Sequence, residues 1–248
     1  MADFPASSDF LRSLPNKTLY KGKLVIFTPF YKAQAHARYT QSLVATAQVL
    51  ERLGIKWEYK PECGDFHVER ALNGALALFM ADPEATDFLN IDSDEAWHPE
   101  AVLRLILHPH DVVGCAYRMR NRWEKFNVTP QFEDGKVLGY VAPDGKTMLR
   151  VDKIPAGFLR LRKPALQQWI NAYPDEWYMD GEVKVPRFFW LDVHEGRMQS
   201  QDWAFSRKMI AAGVELWCDP NPRISHFGDT EYAGSLDEAL RQPKREAA

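Results

Sequence analysis

The first half of the chain alternates short apolar runs with segments in which apolar residues recur every three or four positions. The runs have the length of buried strands and lie at 23–27, 55–59, 88–91 and 111–117. The helical spacing predicts helices at 34–53, 66–80 and 99–107. Gly54 is a natural stop for the first of them, and Pro99 is tolerated in a first turn. Strands that alternate with helices predict a parallel sheet with helices on both faces.

The pattern changes after residue 117. Segments 137–141 and 147–151 flank Pro143-Asp144-Gly145, a turn signal that predicts a hairpin. Further strands are predicted at 158–161 and 214–218, and helices at 164–172 and 202–212, whereas the aromatic-rich segment 174–199 fits no single pattern. The predicted fold class is therefore α/β, with a mostly parallel central sheet flanked by helices and a small antiparallel hairpin element in the second half.

Composition narrows the class of protein. A chain of 248 residues with 46% hydrophobic residues can form one large domain or two small ones. A net charge of −3 argues against a basic nucleic-acid binder of the usual kind. The three cysteines lack Cys-x-x-Cys spacing, which predicts reduced, buried thiols without a zinc site. Residues 1–23 lack the long apolar run of a signal peptide, and no run elsewhere is long enough for a membrane span. We therefore expect a cytoplasmic protein.

The triplet Asp92-Ser93-Asp94 directly follows the apolar run at 88–91. In open α/β sheets, ligands bind beyond the carboxyl ends of the strands. Two carboxylates at such a place can hold Mg²⁺ or Mn²⁺ against a diphosphate. So short a motif also occurs by chance, and then Asp92 would cap a turn and Asp94 would be a solvated acid.

Three segments carry a family resemblance. Segment 87–106, which contains the triplet, resembles the metal-site region of GT-A glycosyltransferases, near the small bacterial and phage-type enzymes of family 2. Segment 200–220 resembles the family's helix that opens with an acidic pair, although Gln201 replaces the first acid and only Asp202 matches. Segment 224–228 resembles the region of the third metal ligand, here His226.

The resemblance covers residues 23 to 230 and implies a GT-A type, Rossmann-like fold. It implies one domain at 23–232, preceded by a lead at 1–22. The polar residues 233–248 that follow would form a peripheral helix or a C-terminal tail. Within the domain, it implies a nucleotide-sugar half at 23–117 and an acceptor half at 118–232.

The resemblance also implies residue roles. Asp94 would bind the metal directly, Asp92 would bind it through water or contact the ribose, and His226 would complete the protein ligands. Asp202 would be the general base that takes a proton from the acceptor hydroxyl, or would orient the acceptor if configuration is retained. The structural alternatives are a hydrogen-bonded histidine and an acid that stabilises a helix N-terminus.

The nucleotide end is predicted from three places. Thr28-Pro29 end the first predicted strand, where these enzymes hold base and ribose. Arg70 and Asn73 match an Arg-x-x-Asn pattern in which Arg meets phosphate or base, or they form an ordinary surface pair on a helix. Gly157, in Ala156-Gly157-Phe158, would allow the sugar to approach closely.

Aromatic and basic side chains supply further candidates. Four tryptophans are candidate stacking platforms, with core packing as the alternative: Trp97, Trp123, Trp190 and Trp203. A basic run would form a solvated face or meet an anionic acceptor such as a phosphate-bearing lipid or a nucleic acid: Arg118, Arg120, Arg122 and Lys125. Three later cations would add to it: Arg160, Arg162 and Lys163.

The resemblance therefore implies a glycosyltransferase that depends on Mn²⁺ or Mg²⁺. The donor would be a nucleotide-diphosphate sugar, with a UDP-sugar as first candidate, and the acceptor a glycan, a lipid-linked sugar or a hydroxymethylated base in DNA. One alternative is a sugar-nucleotide nucleotidyltransferase, which normally has a Gly-rich basic loop after the first strand, unlike residues 28–32. The other is a non-catalytic carbohydrate- or nucleic-acid-binding module, which would not need all of these acids.

Overall fold

The structure is a computed structural model that describes residues 20–30, 33–65, 67–120, 125–142 and 145–241. Its helices are α1 (Ala37–Arg52), α2 (Val68–Ala81), α3 (Pro99–Leu107), α4 (Lys163–Ala172), α5 (Gln201–Ala211) and α6 (Leu236–Arg241). Its strands are β1 (Lys23–Phe30), β2 (Lys56–Cys63), β3 (Ala85–Ile91), β4 (Glu95–Ala96), β5 (Val112–Cys115), β6 (Thr129–Pro130), β7 (Phe132–Glu133), β8 (Lys136–Val137), β9 (Gly139–Val141), β10 (Thr147–Lys153), β11 (Phe158–Arg162), β12 (Trp177–Asp180), β13 (Val183–Pro186), β14 (Asp192–His194), β15 (Arg197–Gln199), β16 (Trp217–Asp219), β17 (Ser225–Phe227) and β18 (Glu231–Tyr232).

A central sheet organises the molecule, with strand order β2-β1-β3-β11-β5-β16-β10-β6 and β9 also beside β10. Strands β2, β1 and β3 are mutually parallel, and so are β5 and β16. Strand β11 lies between β3 and β5 and is antiparallel to both, as β10 is to β16. Most strands therefore run in one direction. The predicted α/β class is confirmed, and so is the predicted hairpin, formed by β9 and β10.

Each face of the sheet has its own hydrophobic core. Leu24 and Ile26 of β1 pack on the side of α1 and α3. Val25 and Phe27 pack on the side of α2, α4 and α5. Because both faces are covered, the four consecutive positions from Leu24 to Phe27 are all apolar, as is usual for buried parallel strands.

Strand β1 is longer than the apolar run predicted. It continues through Thr28 and Pro29, which pair with β2 at Pro61 and Glu62. Its pairing with β3 ends earlier, at Phe27 and Asn90. Pro29 therefore has one neighbouring strand, a position at the edge of pairing where a residue without an N–H group is tolerated.

The segment 174–199 forms two hairpins, β12–β13 and β14–β15. The second turns through Glu195 and Gly196, both with positive φ, as two-residue hairpin turns require. Strands of three or four residues are too short for a periodic pattern. The prediction of buried thiols is right for Cys115 and Cys218 and wrong for Cys63, which is exposed at the end of β2.

The predicted tail begins as part of the folded body, because Leu236 of α6 is buried in the core with α4 and α5. Predictions for the lead at 1–19, for the end of the tail at 242–248, and for Arg122, Trp123 and the turn residues Pro143-Asp144 lie outside the described residues. Of the helices described, none has the length and apolarity of a membrane span.

Candidate active site

The carboxyl edge of the central sheet brings the predicted acids together. Strand β3 ends at Ile91, opposite Phe158 at the start of β11. The amide of Asp92 donates to the carbonyl of Gly157 at 2.9 Å. A Cβ placed on Gly157 would lie 2.7 Å from Asp92 Oδ2 and 2.4 Å from the Tyr117 hydroxyl. Asp92 thus faces a crowded polar pocket beyond the end of the strand.

A second, small sheet carries His226 to Asp94. Strand β17 pairs antiparallel with β4, with His226 opposite Glu95. The amide of Phe227 donates to the carbonyl of Asp94 at 2.8 Å. As a result, Asp94 Oδ1 and His226 Nε2 lie 3.8 Å apart. The structure therefore places these two predicted metal ligands side by side.

Arg120 bridges that pair. Its Nε donates to His226 Nε2 at 2.9 Å, and its guanidinium forms an ion pair with Asp94. His226 Nδ1 donates to the carbonyl of Arg118 at 3.0 Å, which leaves the lone pair on Nε2. Burial lowers the pKa of His226 to about 4, so the ring is neutral at pH 7.

The Asp94–His226 pair fits a divalent cation. A carboxylate oxygen and a neutral imidazole nitrogen are both suitable ligands. Two ligands about 2.1 Å from one ion can lie at most about 4.2 Å apart, so the observed separation is compatible. In the part of the chain that the structure describes, no three His, Cys, Asp or Glu residues are grouped as a metal site. Phosphate and water oxygens would have to complete the coordination.

Asp202 lies in the first turn of α5. The Ser206 hydroxyl donates to its carbonyl at 2.7 Å and accepts from the amide of Ile154 at 3.2 Å, which fixes the start of the helix against the chain after β10. Burial raises the pKa of Asp202 to about 6, and the charge of Asp92 adds to the rise. Lys153 and the amide of Ala156 oppose it. Oxygen Oδ1 has no hydrogen-bond partner among the described residues, so it is available to accept a proton.

The loop 154–157 joins the two halves of the site. Asn90 Nδ2 donates to the carbonyl of Ala156 at 2.7 Å and to Asp92 Oδ1 at 3.2 Å. The amide of the same Ala156 donates to Asp202, and the next carbonyl, that of Gly157, accepts from Asp92. Asp92 and Asp202 are therefore positioned by adjacent peptide groups, although they are far apart in sequence.

Glu95 is a site residue that the sequence did not reveal. It is fully buried, and within the described residues neither carboxylate oxygen has a partner in hydrogen-bond geometry. Burial raises its pKa well above the usual value, the charges of Asp92 and Asp202 add to this, and Tyr117 opposes it. In the sequence it resembles any solvated acid after a turn, so no pattern would have found it.

We expect Glu95→Gln to stabilise the protein at pH 8 but not at pH 4. The raised pKa means that the folded state holds a proton which the unfolded state releases above its ordinary pKa, so stability falls as pH rises. Gln mimics the protonated acid and removes that loss. Each kcal/mol shifts the unfolding midpoint of such a chain by about 2–4 °C, which calorimetry in metal-free buffer at both pH values would detect. An equal shift at pH 4 and pH 8 would contradict the ionisation argument.

We expect Gly157→Ala to weaken binding of the nucleotide-sugar donor predicted from the sequence at least tenfold, by roughly the 1.4 kcal/mol that factor represents. The added Cβ would come within 3 Å of Tyr117, Asp92 and Glu95, so at least one of these buried side chains must move. Gly74→Ala is the matched control, because its Cβ would meet nothing within 4 Å and a helical Ala is slightly stabilising. Nucleotide titration of both variants measures the effect, and equal affinities would refute it.

Thr28 lies behind the site. It is fully buried, and its hydroxyl is 2.6 Å from that of Tyr39. The charge of Asp92 is among the causes that raise the pKa of Tyr39, after burial and the contact with Tyr59. Thr28 therefore contacts Tyr39 inside the fold, and Pro29 is the member of the predicted pair that remains half exposed.

Arg70 and Asn73 separate in the structure. Arg70 is half exposed, pairs with Asp65 at 2.7 Å and lines a cavity of about 490 Å³ beneath α2 that contains none of the acids above. Asn73 is fully buried, and its amide both donates to and accepts from the backbone of Phe189, at 2.8 Å in each case. Asn73 therefore clamps α2 to a distant loop. Its assignment as a nucleotide contact stays a prediction, and both ends of its amide are already bonded to the backbone of Phe189.

The candidate aromatic platforms divide in the same way. Trp97 is buried and donates to the Thr46 hydroxyl at 2.9 Å, so it is a core residue. Trp190 and Trp203 are exposed. Trp203 is next to Asp202, and Lys153 Nζ lies 4.6 Å from the centre of its ring.

The three members of the basic run that the structure describes differ in their surroundings. Arg118 and Arg120 contact the segment 226–234, whereas Lys125 is exposed. Arg160 is fully buried and donates to carbonyls of 105, 108 and 111, and Arg162 pairs with Asp87 at the opposite end of β3. Lys163 contacts the carbonyl of Asp82 beside that same end. Arg160, Arg162 and Lys163 are therefore structural and cannot extend the basic run at the site.

Comparison with known proteins gives similarity of structure only. No family model and no curated protein sequence matches the chain. A crystal structure of a protein from STIV matches at 14% identity over 87% of this chain and 91% of that chain, with a TM-score of 0.49. Drosophila beta1,4galactosyltransferase 7 in complex with xylobiose matches at 12% identity over 92% and 76%, with a TM-score of 0.43. GalNAc-T7 with UDP, GalNAc and Mn²⁺ matches at 9% identity over 84% and 44%, with a TM-score of 0.45. Glycosyltransferases are thus among the structural neighbours.

Proposed function

We propose that this protein is a glycosyltransferase that transfers a sugar from a nucleotide-diphosphate sugar to an acceptor hydroxyl. One observation carries the proposal: the loop 154–157 holds Asp92 and Asp202 at the edge of the sheet where β4 and β17 join Asp94 to His226. A proton acceptor and a cation site at one edge of the sheet are what displacement at an anomeric carbon requires. A UDP-sugar is the first donor to test, and a cytoplasmic location remains a prediction.

The donor's diphosphate is assigned to the Asp94–His226 side. Asp94 and His226 would hold Mn²⁺ or Mg²⁺, with Asp92 contributing through water or by contact with the ribose. When bound, the cation neutralises charge on the departing diphosphate. Gly157 lets Tyr117, Asp92 and Glu95 pack against its backbone, so its predicted effect on the sugar is through these side chains. Pro29 borders the nucleotide end, and the half-exposed Arg70 remains a candidate for phosphate or base.

Asp202 is assigned to the acceptor. As the acceptor oxygen attacks the anomeric carbon, Asp202 takes its proton, and the bond between sugar and phosphate breaks to release the nucleoside diphosphate. Its raised pKa of about 6 leaves it charged at pH 7 yet more basic than a solvated acid. The exposed Trp203 beside it favours a sugar-bearing acceptor, because apolar sugar faces pack on aromatic rings. If configuration is retained, Asp202 orients the acceptor instead.

Three alternatives have less support. A nucleotidyltransferase normally cradles a triphosphate in a Gly-rich basic loop after the first strand, whereas residues 31–36 contain no glycine and Thr28 is buried within β1. A DNA acceptor would need a basic surface, but Arg118 and Arg120 contact the protein and Arg160 is buried. A non-catalytic module has no need for the buried acids Glu95 and Asp202.

A donor panel tests the proposal. UDP-, GDP- and CDP-sugars are incubated with the protein and Mn²⁺. The released nucleoside diphosphate is measured as the readout of slow donor hydrolysis. We expect one nucleotide class to be hydrolysed and to raise the melting temperature only with metal. Release of pyrophosphate from a nucleoside triphosphate and a sugar phosphate would instead identify a nucleotidyltransferase. If no nucleotide sugar is hydrolysed and no nucleotide changes the melting temperature in a metal-dependent way, the glycosyltransferase assignment is wrong.

A further inference from the structure

Arg120 occupies the position between Asp94 and His226 where the proposed metal ion would bind. Its guanidinium contacts both predicted ligands, the carboxylate of Asp94 and Nε2 of His226. The lone pair of Nε2 and the charge of Asp94 are the two features that a divalent cation would use. Arg120 and a cation therefore cannot both hold the pair in this arrangement.

The surroundings hold Arg120 in this position. The residue opposite its side chain is Gly228, where a Cβ would lie 3.2 Å from Arg120 Cδ. The charge of Asp92 attracts the guanidinium as well. An arginine keeps its charge at any pH at which the protein is folded, so the contact persists until a stronger cation displaces it.

The side chain also has a way out. Arg120 is 41% exposed and Asp94 34% exposed, so the guanidinium can leave toward solvent without opening a core. The segment around it keeps its backbone contacts, because the carbonyl of Arg118 and the amide of Phe227 bind other groups. Exchange of one cation for another is therefore a side-chain movement.

We propose that Arg120 is an internal counter-cation of the Asp94–His226 pair and that a divalent cation binds this protein only by displacing it. The inference rests on the cation assignment within the proposed function. When a fraction of the protein has its site closed by Arg120, the apparent dissociation constant for the ion rises by the inverse of the open fraction. Arg120 therefore sets the affinity for the cation before any nucleotide arrives.

The test is a titration of the full-length protein with Mn²⁺ alone, read by the electron paramagnetic resonance signal of free Mn²⁺. Loss of a charge-assisted hydrogen bond and ion pair should make Arg120→Gln bind Mn²⁺ about tenfold tighter than the wild type, or more. Arg120→Lys, which keeps the charge but replaces the planar guanidinium by a more flexible and more strongly hydrated ammonium, should lie between them. Arg223→Gln is the control, because it removes a positive charge two residues before β17 without touching the pair.

The outcomes are distinct. If Arg120→Gln and Arg120→Lys are folded by circular dichroism and bind Mn²⁺ no tighter than the wild type, Arg120 is not a competitor. If no variant binds Mn²⁺ at millimolar concentration, the pair is not a cation site and the inference is also overturned. A gain in Arg223→Gln equal to that in Arg120→Gln would reduce the effect to net charge. Because no nucleotide is present, failure of the donor panel leaves these results unaffected.

Discussion

Asp202→Asn is expected to abolish sugar transfer and to leave donor binding unchanged. The substitution keeps the size and position of the side chain in the first turn of α5, where Ala156 donates to it, but removes the basic oxygen. Loss of a general base typically costs about 10²–10⁴ in rate. Turnover with the donor and acceptor found in the panel measures the first effect, and calorimetric titration with the nucleoside diphosphate measures the second.

Asp175→Asn is a suitable control, since Asp175 is an exposed acid between α4 and β12. Full turnover by Asp202→Asn would show that the base assignment is wrong, and equal losses of binding and turnover would assign Asp202 to the donor. The transfer rate of the wild type should also rise with pH, with a midpoint of about 6, as Asp202 ionises. Because Asp92 and Asp202 interact, that midpoint belongs to the pair of acids.

Long periodic elements of this fold are predictable from sequence. Helix α3 has the predicted bounds, because Pro99 suits a first turn and the His98 side chain accepts from the amide of Glu100. Strand β1 was predicted too short, since its extension past Phe27 depends on pairing with β2 and not on apolar side chains. The hairpins within 174–199 were not predicted, because their strands span only three or four residues and depend on turns such as Glu195-Gly196.

Prediction of the site shows a similar division. The location of Asp92 and Asp94 follows from the end of β3, a local feature. Arg120, by contrast, lies after β5 and contacts Asp94 together with His226, which comes beside Asp94 through the pairing of β17 with β4, strands more than 120 residues apart. Glu95 becomes buried through the same pairing. Contacts between residues so far apart in sequence cannot be predicted from a short motif.

Buried polar residues mark the other limit of sequence reasoning. Asn73 and Arg160 each fit a surface pattern, one by its spacing from Arg70 and the other by its charged neighbours. Both are instead fully buried and bind distant backbone groups, of Phe189 and of the segment 105–111. Whether a polar side chain satisfies the backbone or a ligand depends on tertiary contacts, because a buried polar group must find some partner.

Asp94→Ala is expected to remove the metal-dependent part of nucleotide binding. The backbone of residue 94 still accepts from Phe227, so β4 and β17 stay paired and the loss is confined to the carboxylate. Without it, His226 is the one remaining direct ligand of the proposed pair. The loss in Mn²⁺ affinity should exceed the about 10–100-fold that removal of an outer-shell partner costs. Titration with nucleoside diphosphate, with Mn²⁺ and with a chelator, measures the difference.

The same variant also releases Arg120 from its ion pair. We therefore expect nucleotide affinity without metal to change in the opposite direction to nucleotide affinity with Mn²⁺. A guanidinium without its carboxylate is free to bind phosphate, so Asp94→Ala should keep or gain nucleotide affinity in the presence of chelator while it loses the response to Mn²⁺. Asp229→Ala, which removes an exposed acid from the turn after β17, should retain the response. If Asp94→Ala responds to Mn²⁺ as the wild type does, the cation lies elsewhere, and Asp92 becomes the first residue to substitute.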